Sequence, residues 1–251
     1  MRVTETQTFD WRGWLLLALA AAVFAASIAN GPIPQDQDYH RFVDTRTLWG
    51  VPNACNVLSN LPFLLFGAWG LSELYRGRAA ALPMRAAYGV FFFGAMAVAF
   101  GSAHYHLAPS DATLVWDRLP MTVAFMAFFA AILGRHIRPS LGARALVPLL
   151  LVGFCSVLWW RFADDLRFYL LVQFLPILLI PAMLLLYPTS ARGTGYFWAV
   201  LGLYALAKAL ETYDASVYDA LGMGGHALKH LSAALGVACV ALAVRAQMSG
   251  T

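Results

Sequence analysis

Eight apolar stretches succeed one another along this 251-residue chain, near 11–30, 53–74, 84–107, 115–134, 144–161, 166–187, 194–213 and 224–246. Each is close to the roughly 20 helical residues that cross the hydrocarbon core of a bilayer. Hydrocarbon offers no partner to a backbone N–H or C=O, so a spanning segment must be a helix or a strand of a closed barrel. Barrel strands alternate apolar and polar residues, and these runs do not. The chain therefore reads as an all-α polytopic membrane protein, a seven-helix core bundle plus one extra N-terminal transmembrane helix. A composition 61% hydrophobic and only 12% charged excludes an ordinary water-soluble domain. Pro62, Pro148, Pro176 and Pro181 fall within the runs and predict kinks whose freed carbonyls neighbouring helices cover.

Arginines in short loops stay cytoplasmic, and here they alternate sides. Arg2, Arg12, Arg76, Arg78, Arg85, Arg135, Arg138, Arg144, Arg192 and Arg245 fall on one face. The other carries Asp36, Asp38, Asp44, Asp111, Asp164, Asp165, Asp214 and Asp219 against Arg41, Arg46, Arg161 and Arg167. That acidic face is extracytoplasmic, and both termini are cytoplasmic if the first span is uncleaved. The run "WLLLALAAAVFAAS", followed by small residues, also fits a signal peptide, whose cleavage would leave seven helices facing the same way. Three segments follow: 1–30, an N-terminal transmembrane helix or signal anchor; 31–52, an acidic extracytoplasmic loop; and 53–246, the seven-helix unit. The basic residues are spread over many loops rather than clustered, which excludes a nucleic-acid partner. Cys55, Cys155 and Cys239 lack metal-binding or redox spacing and read as small core residues. Trp49, Trp116, Trp159, Trp160 and Tyr213 read as interfacial anchors.

Ionisable groups within spans are costly and therefore functional candidates. Ser102 and His106, four apart, share one face at the outer end of the third span, while His104 points away. After the "LAPSD" turn the fourth span begins at the same level with Asp117. The last span opens "GMGGHALKHLSAALG", where His226 and His230 are again four apart, the spacing with which a helix chelates a metal. His106 can supply a third ligand. Three neutral imidazoles with one open position form the donor set of a catalytic zinc. The structural alternatives are histidines bonded to water at a helix mouth, back-bonding of Ser102 to the carbonyl four residues earlier, and an N-terminal helix charge for Asp117.

Ser102-x-x-x-His106, Asp117 at the next helix, His226-x-x-x-His230 in the final helix and "NVLSNLPFLLFG" from Asn56 together resemble the alkaline ceramidases and their superfamily of seven-helix membrane hydrolases, which includes adiponectin-receptor-like proteins. The resemblance covers roughly residues 53 to 246. It implies that His106, His226 and His230 hold Zn2+, that Ser102 assists beside it, and that Asp117 orients or deprotonates water. The activity implied is zinc-dependent hydrolysis, near the extracytoplasmic face, of ceramide or a related N-acyl lipid to a fatty acid and a long-chain base. The family also carries a calcium-binding acidic segment with a Glu three residues before N-x-x-S-N, where this chain has Asn53. Asp36, Asp38, Asp44 and Asn53 could offer calcium their oxygens, but their spacing matches neither the family nor an EF-hand, so calcium is doubtful and a solvated acidic loop is the plainer expectation. A receptor or transporter with a structural metal or a histidine proton relay is the alternative; neither would need the Ser and Asp beside the histidines, and no paired broken helices mark a transporter. His40 and His136 read as exposed loop histidines, Lys208 and Glu211 as an i,i+3 pair, and Lys229 as snorkelling away from the site.

Overall fold

A computed structural model describes residues 10–76 and 82–249; Arg2 and Arg78 lie outside the described residues. The chain forms α1 (Trp11–Ala29), α2 (Ala54–Leu58), α3 (Leu61–Leu74), α4 (Arg85–Leu107), α5 (Asp111–His136), α6 (Pro139–Ala163), α7 (Arg167–Leu186), α8 (Thr194–Thr212), α9 (Asp214–Leu221) and α10 (Gly225–Met248), with a 3-10 turn at Gln37–His40. Among the described residues the only β pairing is an isolated bridge between Leu48 and Val51. This is an all-α polytopic membrane fold. Among the described residues, seven segments are long and apolar enough to cross a bilayer: α1, α2 with α3, α4, α5, α6, α7 and α10.

The eighth expected span, α8, forms a helix of 19 residues, about 28 Å long, but Lys208, Glu211 and Thr212 interrupt its apolar face. It lies along α10, where Ser232 donates to the Leu203 carbonyl at 2.8 Å. The first core span is broken rather than kinked, because Ser59 and Asn60 separate α2 from α3. Pro62 then falls in the first turn of α3, where a missing N–H costs nothing. Ser110 caps α5 by accepting from Thr113 N, so that helix begins at Asp111, not near 115. Asp117 thus lies well inside α5, beyond the first turn where a helix dipole acts.

Around the bundle, α4 packs between α3 and α5, α5 reaches α6 and α7, and α10 closes against α3 and α8. The main core gathers Tyr88, Phe91 and Phe92 of α4, Phe128 and Ile132 of α5, Phe197 of α8, and Val240 and Val244 of α10. A second, smaller cluster of Phe42, Tyr105, Leu114, Val157, Trp160 and Tyr169 sits under the loop before α2. Of the expected interfacial aromatics, Trp49, Trp116, Trp159 and Tyr213 are exposed, but Trp160 is buried in this cluster. The cysteines are free, and Cys155 is exposed rather than in the core.

The tightest crossing sets the depth of the polar residues. Pro120 has no N–H to offer the Trp116 carbonyl one turn earlier. Gly101 of α4 lies against that carbonyl so closely that a Cβ would come within 2.0 Å of it. The contact brings Ser102 and Asp117, the next residue on each helix, to one level. Gly101→Val should force α4 and α5 apart and lower thermal stability in detergent by about 1–3 kcal/mol or more. Gly202→Ala, where an added Cβ meets nothing within 4 Å, should leave it unchanged or raise it slightly; equal melting of the two variants would contradict this packing.

Candidate metal centre

His106 comes from the last turn of α4, and His226 and His230 from the first two turns of α10. All three are buried, with ring centroids 4.9 to 5.1 Å apart. One nitrogen from each lies within 4.8 Å of the others, so the three could hold a metal ion. The fit rests on unsatisfied chemistry: both ring nitrogens of His106 are buried with no hydrogen-bond partner. A buried polar atom left bare is costly unless something at the site satisfies it. His104 is exposed, as the helical spacing requires.

The neighbours set the orientation of the rings. Ser59 Oγ donates to the Asn56 carbonyl at 3.1 Å and stands 2.8 Å from His230 Nδ1. A hydroxyl has one proton; with that proton on the Asn56 carbonyl, Ser59 accepts from Nδ1–H and Nε2 keeps its lone pair for the cluster. At the start of α10, His226 N donates to Asp214 Oδ1 at 3.0 Å. Asp214 of α9 thereby caps a helix whose own N-cap, Gly224, has no side chain to do so. Gly225 permits that approach, since a Cβ there would meet the Leu210 carbonyl at 2.1 Å.

The loop before α2 closes over the histidines. Phe42 packs its ring 4.7 Å from that of His106 and 4.6 Å from that of His226. Val43 N donates to Asp214 Oδ2, Asn53 Nδ2 to the His106 carbonyl at 2.9 Å, and Asn56 Nδ2 to the Asp44 carbonyl. Arg46 grips both oxygens of Asp44 at 2.8 and 2.6 Å and also the Gly222 carbonyl. The guanidinium holds the Asp44 carboxyl down to about 2, against an ordinary 3.8. Beside the histidines, Ser102 is buried and lies near the Asp117 carboxylate. Asp117 is itself buried, with Oδ1 unpartnered.

Among the described residues, the histidines are the one group of three or more His, Cys, Asp or Glu side chains gathered as a metal would need. The residues considered for calcium are not brought together. Asp36 accepts from Asp38 N, Asp38 pairs with Arg41, Asp44 pairs with Arg46, and Asn53 spends its amide on His106. Two other histidines are not the exposed loop residues expected. His40 lies 2.9 Å from the Tyr105 hydroxyl and 3.0 Å from Asp111 Oδ1, while His136 is buried beside the Tyr187 carbonyl. Lys208 and Glu211 do pair, but Lys229 joins the same carboxylate rather than snorkelling. Ser59, Asp214 and Phe42 had no role assigned from sequence. Ser59 lay within the quoted N-x-x-S-N run, whereas nothing local marks Asp214 or Phe42.

A family model described as Ceramidase matches residues 49–194, more than half of the chain. The match takes in Ser59, Ser102, His106 and Asp117 and stops before His226 and His230. Comparison with curated proteins finds no match.

The Asp44 clamp titrates with a fixed sign. Because its folded value is depressed, its contribution is complete above about 4 and is lost as pH falls through about 2. Hydrogen exchange across residues 41–53 should therefore speed up between about pH 4 and about pH 2. Asp44→Asn should show fast exchange already at neutral pH; protection unchanged in that variant would show that the clamp does not hold the loop.

Proposed function

The chain belongs to the ceramidase family, and on that premise we propose that it is a zinc-dependent intramembrane amide hydrolase, cleaving ceramide or a related N-acyl lipid to a free fatty acid and a long-chain base. The observation that carries the reading is the buried cluster of His106, His226 and His230, with two bare nitrogens on His106 and the Ser59 hydroxyl 2.8 Å from His230 Nδ1. Zinc held by these three imidazoles would polarise the amide carbonyl and render water nucleophilic near neutral pH.

The remaining work falls to the chain's own residues. Ser102 donates a hydrogen bond to the oxygen on which negative charge develops. Asp117, with a free carboxylate oxygen in a buried setting, takes the proton released as water attacks and returns it to the departing nitrogen, so the C–N bond breaks with an amine leaving. Phe42 keeps bulk water off the imidazoles, which strengthens these interactions. Lipid reaches the site from the side: α7 and α8 touch sparingly, bridged by Gln173 to Tyr204 at 2.9 Å and by Lys208 over the Phe174 ring.

The site faces the extracytoplasmic side and the termini the cytoplasm. Charge pairing supports this orientation. Arg41, Arg46 and Arg167 at the site end are each neutralised by an aspartate; at the opposite end Arg12 and Arg76 pair with acids, while Arg85, Arg135 and Arg192 bond backbone carbonyls and keep their net charge, an excess the positive-inside rule places in the cytoplasm.

Purified protein should contain about one zinc per chain and release fatty acid from N-acyl lipids. Chelation or His230→Ala should abolish release together with the metal. Asp117→Asn should retain zinc while kcat falls by roughly 10²–10⁴. Release that survives both chelation and His230→Ala would end the proposal.

A further inference from the structure

Arg118, one residue beyond Asp117, is a buried cation that the reaction does not use. It is 5% exposed and forms no salt bridge among the described residues. Its plane is sandwiched by aromatic rings: Trp160 of α6 at 4.0 Å, Tyr169 of α7 at 4.6 Å and Tyr39 of the loop at 5.8 Å. Rings satisfy the face of a guanidinium, but its N–H groups lie along the edge and need acceptors. Nη2 has one in Gln35 Oε1, at 2.8 Å. Nη1 is buried with no partner.

An uncompensated buried guanidinium is costly, and nothing nearby answers it. Glu211 is taken by Lys208 and Lys229 together, and among the described residues Asp117 forms no ion pair with Arg118. The guanidinium is thus left without a carboxylate of its own. Tyr39, which flanks it on the loop side, remains 37% exposed.

We propose that Arg118 Nη1 is the receptor for an anionic head group on the lipid substrate, a phosphate monoester on the amine half of the molecule. The assignment rests on the amide-hydrolase reading above. The direction of the side chain decides which half of the substrate is anionic. Asp117 faces Ser102 of α4, whereas Arg118 turns toward α6, α7 and Gln35 of the loop, away from the histidines of α4 and α10. The carboxylate of the fatty-acid product is born at the scissile carbon and stays with the histidines, so it does not answer Arg118. A head group at the loop end does. Guanidinium is suited to the task because its coplanar N–H groups fork onto a phosphate.

The test compares an N-acyl long-chain base with its 1-phosphate, using purified full-length protein in detergent, for wild type, Arg118→Met and Arg118→Lys. Arg118→Met keeps an apolar stem between the rings and should lower kcat/KM for the phosphorylated lipid by roughly tenfold or more relative to the neutral one. Arg118→Lys, which keeps the charge without the fork, should recover part of that ratio. A ratio unchanged in Arg118→Met, or equal losses on both lipids, would make Arg118 a structural residue and overturn the proposal. Thermal stabilisation by the phosphorylated lipid over the neutral one provides a second readout, expected in wild type and lost in Arg118→Met. If wild type cleaves no amide lipid, the hydrolase reading falls while this readout still decides the subsite: stabilisation that is absent from wild type, or that persists in Arg118→Met, rejects it.

Discussion

The arrangement depends on holding the start of α10 against the end of α4 so that their imidazoles meet. The two turns are more than a hundred residues apart in sequence, and neither helix fixes the other directly. Asp214 does it at a corner, accepting from His226 N with one oxygen and from Val43 N with the other. Asn53 does it from the far side, binding the carbonyl of His106. Each of these bonds satisfies a backbone group that a helix end or a loop would otherwise leave bare. The histidines are therefore positioned by the same contacts that close the helix termini.

Three layers of polar groups surround this centre, and they differ in how their charge is met. Nearest the surface, Arg46 with Asp44 and Arg167 with Asp165 are tight pairs that tie loops to helices. Deeper, Glu211 holds two lysines from α8 and α10, which lets α8 carry charges that a lipid-facing helix could not. At the site itself, Asp117 Oδ1 and the His106 nitrogens are left unmet. In these three layers the two outer ones are paired and the innermost is left bare, a pattern expected of functional sites.

Much of the bundle was legible because hydrophobic runs of spanning length leave the backbone one solution. The convergence of His106, His226 and His230 was legible for a similar reason, since four-residue spacing and common depth are consequences of helical rise. What stayed hidden depended on side chains meeting across elements. The break at Ser59 and Asn60 looked like a continuous span because both residues sit inside an apolar run. Lys229 was read as pointing to the interface because its partner Glu211 is eighteen residues away on another helix. His136 and Trp160 were placed by their sequence positions near loops, yet packing buries both. Asp214 counted only as one acid among many on the outer face, and no local pattern distinguishes a carboxylate that caps a helix from a solvated one.

Two of the three imidazoles reside on the final span. During synthesis the earlier helices can enter the membrane and pack while His106 waits with both nitrogens unengaged. The centre is thus assembled last, when the C-terminal helix docks against its corner. Until then the three ring nitrogens that could hold a metal ion cannot meet.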